Sequence, residues 1–185
     1  SGNVADLAGD LTGTNGDISI TFNSDIDGTA LGSRSWYYGL DMQPTNGEPD
    51  FVTVAFHELT HSMGFISTAD VSGSFGANVD SGGSFPDIFD RYLVNSAGVR
   101  LLDLSTQPQN VTQATYWSGT FGVREYDKVF GHGRPPMYAP PQFSTDSSLS
   151  HLDENAFVGS YDLMTPYLSN PVHTPDNVVR GMMAD

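Results

Sequence analysis

Val54-Ala55-Phe56-His57-Glu58-Leu59-Thr60-His61-Ser62-Met63-Gly64-Phe65 contains the pattern H-E-x-x-H followed by x-x-G. On a helix, residues four apart share a face, so His57 and His61 present two imidazoles at the spacing that holds one Zn²⁺, with Glu58 beside them. Val52, Ala55, Phe56, Leu59 and Met63 recur at three- and four-residue steps and predict an amphipathic helix around the pattern. Asp50, after Pro49, predicts where that helix starts, and Gly64 predicts a left-handed stop. The competing reading is a partly buried helix with two incidental histidines. The helical context around the motif argues against it.

A chain of 185 residues with 38% hydrophobic content can bury one substantial core, so a single domain is expected. Seven Lys and Arg stand against 22 Asp and Glu, a net charge of −15 that repels phosphate backbones and anionic lipid surfaces. Nucleic acid and membranes are therefore not expected as partners. No apolar run is long enough to span a bilayer. The acidic surplus fits a soluble secreted protein; some carboxylates are candidate Ca²⁺ ligands, although a solvated acidic surface explains most of them. There is no cysteine, so disulfides and thiolate zinc sites are excluded, and metal ligands must come from His, Asp or Glu.

Outward from the motif, Thr14-Asn15-Gly16-Asp17 reads as a turn into a strand at Ile18–Phe22, where apolar and polar residues alternate. Ser24–Ser33 reads as a polar loop and Trp36–Leu40 as a second short strand, so one sheet region is expected before the motif helix. Downstream, Ser72–Ser84 reads as an exposed Gly/Ser loop and Pro86–Val94 as strand or extended chain. Asn95-Ser96-Ala97-Gly98 reads as a hairpin turn into Val99–Leu102. Ser105–Thr115 has some helical character, and four prolines make Gly131–Gln142 irregular. Near the end, Thr174 is expected to cap a helix with Pro175 in its first position and Val178, Val179, Met182 and Met183 on its apolar face.

A catalytic zinc site uses three protein ligands and water, so one ligand is missing from the local motif. The contiguous form H-E-x-x-H-x-x-G-x-x-H would place it at position 67, which is Ser67. His132, His151 and His173 are the remaining histidines.

H-E-L-T-H-S-M-G-F, together with Ser150-His151-Leu152-Asp153-Glu154 and Asp162-Leu163-Met164-Thr165-Pro166, resembles the leishmanolysin-type metzincins. The likeness is closer to their cysteine-free bacterial secreted relatives, through Phe89-Asp90-Arg91-Tyr92-Leu93, Tyr138-Ala139-Pro140 and Ser148–Glu154. It runs discontinuously from about Asp17 to the C-terminus. The resemblance implies that His151 is the third zinc ligand, displaced downstream by an insertion. It also implies that Met164 is the Met-turn methionine beneath the metal and that Gly64 lets the chain turn sharply out of the helix. Tyr167 falls one residue too far from Met164 to match the tyrosine that some metzincins use, so ordinary packing is expected for it.

The fold implied is α+β and metzincin-like: a small sheet and the active-site helix in an upper subdomain (1–64), an insertion and irregular lower subdomain (65–150), and a segment with third ligand, Met-turn and C-terminal helix (151–185). The function implied is that of a secreted zinc endopeptidase acting on protein or peptide substrates, with Glu58 as general base and substrate bound extended along a sheet edge. Metzincins usually bring a larger sheet and a backing helix before the active-site helix, but 56 residues precede His57 here. The sequence is therefore expected to be an N-terminally truncated catalytic domain, and it also lacks the disulfides of the leishmanolysin pattern. Two rival readings remain. One is a zincin with a carboxylate third ligand, from Asp87, Asp90, Glu125 or Glu154; the other is an inactive relative serving as a secreted binding or adhesion module.

Overall fold

The computed structural model describes residues 18–27, 35–45, 47–76, 85–161, 163–168 and 170–185. The expected turn at Thr14–Asp17, part of the 24–33 loop, part of the 72–84 loop and Asp162 lie outside them. The described residues form a mixed α+β fold. Helix α1 (Phe51–Ser62) comes first, followed by strands β1 (Leu93–Asn95) and β2 (Thr115–Trp117), helix α2 (Thr120–Phe130), strand β3 (Pro136–Met137) and helix α3 (Asn177–Met183). Short 3-10 turns lie at Ser24–Asp27, Phe89–Tyr92, Leu101–Asp103, Pro108–Val111 and Gly159–Tyr161. No helix among the described residues is long and apolar enough to cross a membrane.

Helix α1 begins where the sequence predicts. The Asp50 carboxylate accepts from Thr53 N (2.8 Å) and Thr53 Oγ1 (2.7 Å), satisfying an N–H that the helix itself leaves unpaired. His173 Nε2 lies 2.8 Å from the same oxygen, so this histidine buttresses the start of α1 instead of the helix that follows it. The face that α1 buries differs from the expected stripe. Thr53, His57 and Thr60 point inward, whereas Leu59 and Met63 are 40% and 54% exposed. Burying threonines is possible because their hydroxyls are satisfied locally: Thr60 Oγ1 donates to Phe56 O, and Thr53 Oγ1 also accepts from Val172 N. The inward face therefore carries a histidine and is not an aliphatic ridge.

Among the described residues the small sheet lies downstream of the motif helix and not before it, correcting the expected upper-subdomain sheet. Residues 18–23 form no strand, because no described segment pairs with them. Trp36–Leu40 supplies only a single parallel bridge, Tyr37 to Asp50, and its main role is aromatic: Trp36 packs edge-on against Phe51 at 5.5 Å. The real sheet is antiparallel in the order β1-β2-β3, with Leu93 opposite Trp117 and Thr115 opposite Met137. Phe89–Tyr92 winds into a 3-10 turn before β1, so only the end of Pro86–Val94 is strand. The expected hairpin turn is present: Gly98 N donates to Asn95 O, and Gly98 sits at φ +79°. Beyond it the chain makes one bridge at Arg100 and then coils into a 3-10 turn.

Beyond β3 the pairing continues without a further named strand. Tyr138 N donates to His151 O (2.8 Å), Leu149 N to Tyr138 O (2.8 Å) and Asp153 N to Pro136 O (3.0 Å), with a bridge from Met137 to Leu152. The segment around His151 is thus bonded to the edge of the sheet. Helices α2 and α3 pack together where glycines allow close approach. A Cβ on Gly181 would lie 2.8 Å from Phe121 O, and one on Gly122 would lie 2.7 Å from Met182 Cγ. Helix α3 is capped by Asp176, which accepts from Val178 N and Val179 N, so Thr174 and Pro175 precede the cap. Its apolar face holds Val178, Val179 and Met182 in the core, while Met183 is partly exposed.

One hydrophobic core runs from Phe65 to Met182 and includes Phe89, Leu93, Trp117, Leu152, Leu163 and Met164. Aromatic contacts carry it from the exit of α1 to the sheet: Phe65 to Phe89 at 4.9 Å, then Phe89 to Trp117 at 4.7 Å. These contacts fix the end of the motif helix against the sheet to whose edge the His151 segment is bonded.

Candidate metal centre

His57 and His61 lie one turn apart on α1, and the segment bonded to the sheet edge brings His151 to them. The three Nε2 atoms form a nearly equilateral triangle: 3.0 Å for His57–His61, 3.2 Å for His61–His151 and 3.3 Å for His57–His151. Each Nδ1 faces a backbone carbonyl: Leu163 O for His57 (2.6 Å), Phe65 O for His61 (2.6 Å) and Ser147 O for His151 (2.9 Å). A carbonyl only accepts, so each Nδ1 carries the proton and donates. Each neutral ring then turns an Nε2 lone pair inward. Three acceptors converge with no donor between them, an arrangement that could hold a cation. With Zn–N bonds of about 2.0–2.1 Å, tetrahedral ligands stand about 3.3 Å apart, so the donor set suits such an ion. Among the described residues, no other three His, Asp or Glu side chains gather in this way.

No family model matches the chain, and no curated protein or solved structure is significantly similar to it. The reading of this centre therefore rests on its residues and their geometry.

Burial holds His61 and His151 toward the neutral form in which an imidazole can bind a metal. Desolvation pushes the His151 pKa down to about 4; the Ser147 carbonyl opposes the shift, and the neighbouring imidazoles reinforce it. The same desolvation, with His57 close by, lowers the His61 pKa. A stability consequence follows for the metal-free chain. In the unfolded state His151 takes up a proton near its ordinary value of about 6.5, whereas in the folded state it does so only near 4. Between those values the unfolded state binds more protons, so stability is fully present above the upper value and falls as pH falls. Denaturant unfolding of metal-free protein should show a loss of about 3 kcal/mol between pH 7 and pH 4 from this group. His151→Ala should lack that component; an equal loss in the variant would contradict it.

Gly64 ends α1 in a Schellman motif. Phe65 N donates to Thr60 O (3.2 Å) and Gly64 N to His61 O (2.9 Å), with Gly64 at φ +110°. The motif drives Phe65 into the core and aims its carbonyl back at His61 Nδ1. A Cβ at Gly64 would meet no atom within 4 Å, so only backbone conformation demands glycine. Gly64→Ala should cost about 1–2 kcal/mol on unfolding and weaken metal binding, as measured by denaturant titration and zinc competition.

Ser67, which stands where the contiguous motif would place a histidine, has another task. Its N–H donates to Ser150 Oγ (3.1 Å), and its hydroxyl donates to Asp90 Oδ1 (2.7 Å). Asp90 is fully buried and also accepts from Thr68 N and Oγ1 and from Asp87 N. Burial raises its pKa, and these hydrogen bonds oppose the rise. The chain leaving α1 is thereby tied to the residue preceding His151. No periodicity in the sequence signals this link, because its partners are far apart along the chain.

The structure brings His151 to the pair on α1, and it brings none of Asp87, Asp90, Glu125 or Glu154. Asp90 is committed to the 67–68 loop, and Glu125 is paired with Arg124 and Lys128 on α2. His132 is exposed in the turn after α2. Met164 is fully buried in the turn after His151. The neighbouring Leu163 carbonyl holds His57, and the Met164 carbonyl accepts from Leu152 N (2.7 Å), so this turn touches both segments that carry the three histidines. Tyr167 is 63% exposed, so it does not take the packed position expected for it. Glu58 is exposed, lies outside the triad and, with His61, lines a cavity of about 420 Å³. On its other side Glu58 borders residues 19–23.

Proposed function

We propose that this chain is a zinc-dependent endopeptidase of the leishmanolysin-like metzincin type, secreted and acting on protein or peptide substrates. The observation that carries the proposal is the convergence of the three Nε2 lone pairs beside an exposed, non-ligating glutamate that opens onto a cavity. His57, His61 and His151 would hold the metal, each oriented by a backbone carbonyl. Bound there, Zn²⁺ supplies Lewis acidity that lowers the pKa of a water to about 7 and polarises a carbonyl.

Glu58 takes a proton from water and returns it to the leaving amine. Its place next to His57 keeps its carboxylate at the site without making it a ligand. The cavity on one side of Glu58 and the 19–23 segment on the other give an extended substrate room to lie across the helix. Burial of Met164 in the turn that supports His57 and Leu152 supports the metzincin assignment. The extracellular setting rests on the family resemblance. The deciding experiment measures zinc per chain and cleavage of a general protein substrate. One zinc per chain with cleavage that depends on Glu58 is expected; a metal-loaded chain that cleaves nothing would favour a binding module instead.

A further inference from the structure

The cavity shared by His61 and Glu58 lies between the segment leaving α1 and the loop that carries His151. Its volume, about 420 Å³, is in the range that encloses a side chain or small ligand. Three large apolar side chains line it, beside the small Ala69: Ile66 and Val71, 43% and 64% exposed, and Phe143 from the loop before His151. Single exposed apolar residues are ordinary, but three lining one cavity beside reactive groups form a surface for an apolar stem.

The charged lining is of one sign. Asp70 and Asp146 contribute carboxylates beside Glu58, and neither Lys nor Arg lines the cavity. The Asp70 carboxylate is engaged in its own turn, accepting from Ser72 N, Ser72 Oγ and Ser74 N. Asp146 differs: it is exposed, sits at φ +66° and has no partner for its carboxylate among the described residues. Ser148 and Ser150 also line the cavity and are buried. Their hydroxyls accept one N–H each, from Ser144 (2.9 Å) and Ser67 (3.1 Å), leaving a further lone pair on each oxygen.

We propose that this cavity is a specificity pocket for a basic substrate side chain, Lys or Arg, beside the hydrolysed bond. The aliphatic stem lies against Ile66, Val71 and Phe143, and the cationic head reaches Asp146. Lys and Arg combine an apolar stem with a charged tip, which matches this lining. An acidic side chain is repelled by the same carboxylates, and an aliphatic one would cover Asp146 without pairing it. The inference rests on the peptidase reading and names the substrate class for it.

The test incubates the zinc-loaded chain with a mixed peptide library and reads the cleaved bonds by mass spectrometry. Matched peptides with Lys, Leu or Glu at the selected position then give kcat/KM for wild type and Asp146→Asn; asparagine tolerates the left-handed backbone at this position. Lys or Arg should be enriched at one position next to the cleaved bond. The Lys-over-Leu ratio should fall roughly fivefold in Asp146→Asn, as for an ion pair near the surface. Cleavage without a basic preference, or a ratio unchanged in Asp146→Asn, overturns the pocket. Dissociation constants of the Lys and Leu peptides for zinc-loaded Glu58→Gln, with and without Asp146→Asn, separate the two readings. If wild type cleaves nothing but that variant binds the Lys peptide with an Asp146-dependent preference, the pocket stands and the peptidase reading falls. If neither cleavage nor preferential binding appears, both fall.

Discussion

Zinc-loaded Glu58→Gln is expected to keep its metal and fold while losing peptide hydrolysis by about 10³-fold in kcat. The expectation follows from where the side chain sits. Glu58 is exposed and outside the ligand triangle, so its removal opens no core cavity and subtracts no donor from the metal. Its carboxylate makes no hydrogen bond within the described structure, so an amide of the same shape leaves no buried partner unsatisfied. What the amide cannot do is accept a proton. Zinc stoichiometry and melting temperature should therefore match wild type while kcat falls and KM changes little. The pH–rate profile of the residual activity should also lose the acid limb that reports the base. Hydrolysis within tenfold of wild type would sink the assignment of Glu58. Loss of zinc together with activity would show instead that the side chain contributes to holding the metal.

The motif helix was legible because its signals are local. Asp50 caps it, Gly64 ends it, and His57 and His61 are brought together by helix geometry alone. The side of α1 that faces inward was not legible. Periodicity counts apolar residues, but here buried threonines with satisfied hydroxyls flank His57, leaving Leu59 and Met63 to the outside. The misplaced sheet has a related cause. Alternation at Ile18, Ile20 and Phe22 meets only half the requirement of a strand, because a strand also needs a partner to bond with. The true strands are two or three residues long, too short for alternation to show.

Helix α2 carries local signals of its own in the sequence. Val123, Tyr126 and Phe130 fall at helical steps, Glu125 pairs with Lys128 three residues on, and Gly131 follows at φ +85°. His151 could not be assigned from spacing at all. Only the family resemblance singles it out among three distant histidines, and the bonds of its segment to Pro136–Tyr138, Met164 and Ser67 account for its position. Asp90 illustrates the opposite limit. From sequence it was a plausible metal ligand, yet four donors from the 67–68 loop and Asp87 use its lone pairs.

His151→Ala should weaken zinc binding by more than about 10²-fold, since removing a ligand should exceed the 10- to 100-fold cost typical of losing a hydrogen-bond partner behind a ligand. Its side chain is buried, and among the described residues its ring makes one hydrogen bond outside the triangle, to Ser147 O, so fold stability of the metal-free variant at pH 7 should change much less than its affinity. Asp90→Ala should behave in reverse. Removing the carboxylate strands the Ser67 hydroxyl, both Thr68 donors and the Asp87 N–H, and should cost about 3 kcal/mol on unfolding. Under conditions where that variant is still folded, all three imidazoles remain, and affinity should fall only as far as the loosened Ser67–Ser150 link lets His151 shift. Competition with a chromogenic chelator and denaturant titration, applied to both variants, separate the two roles. If Asp90→Ala lost zinc as completely as His151→Ala while remaining folded, the carboxylate would be a ligand and the three-histidine centre would be wrong. With the expected split, the residue standing at position 67 is explained as well: Ser67 supplies no ligand, but it ties the end of the motif helix to the strand-like segment that does.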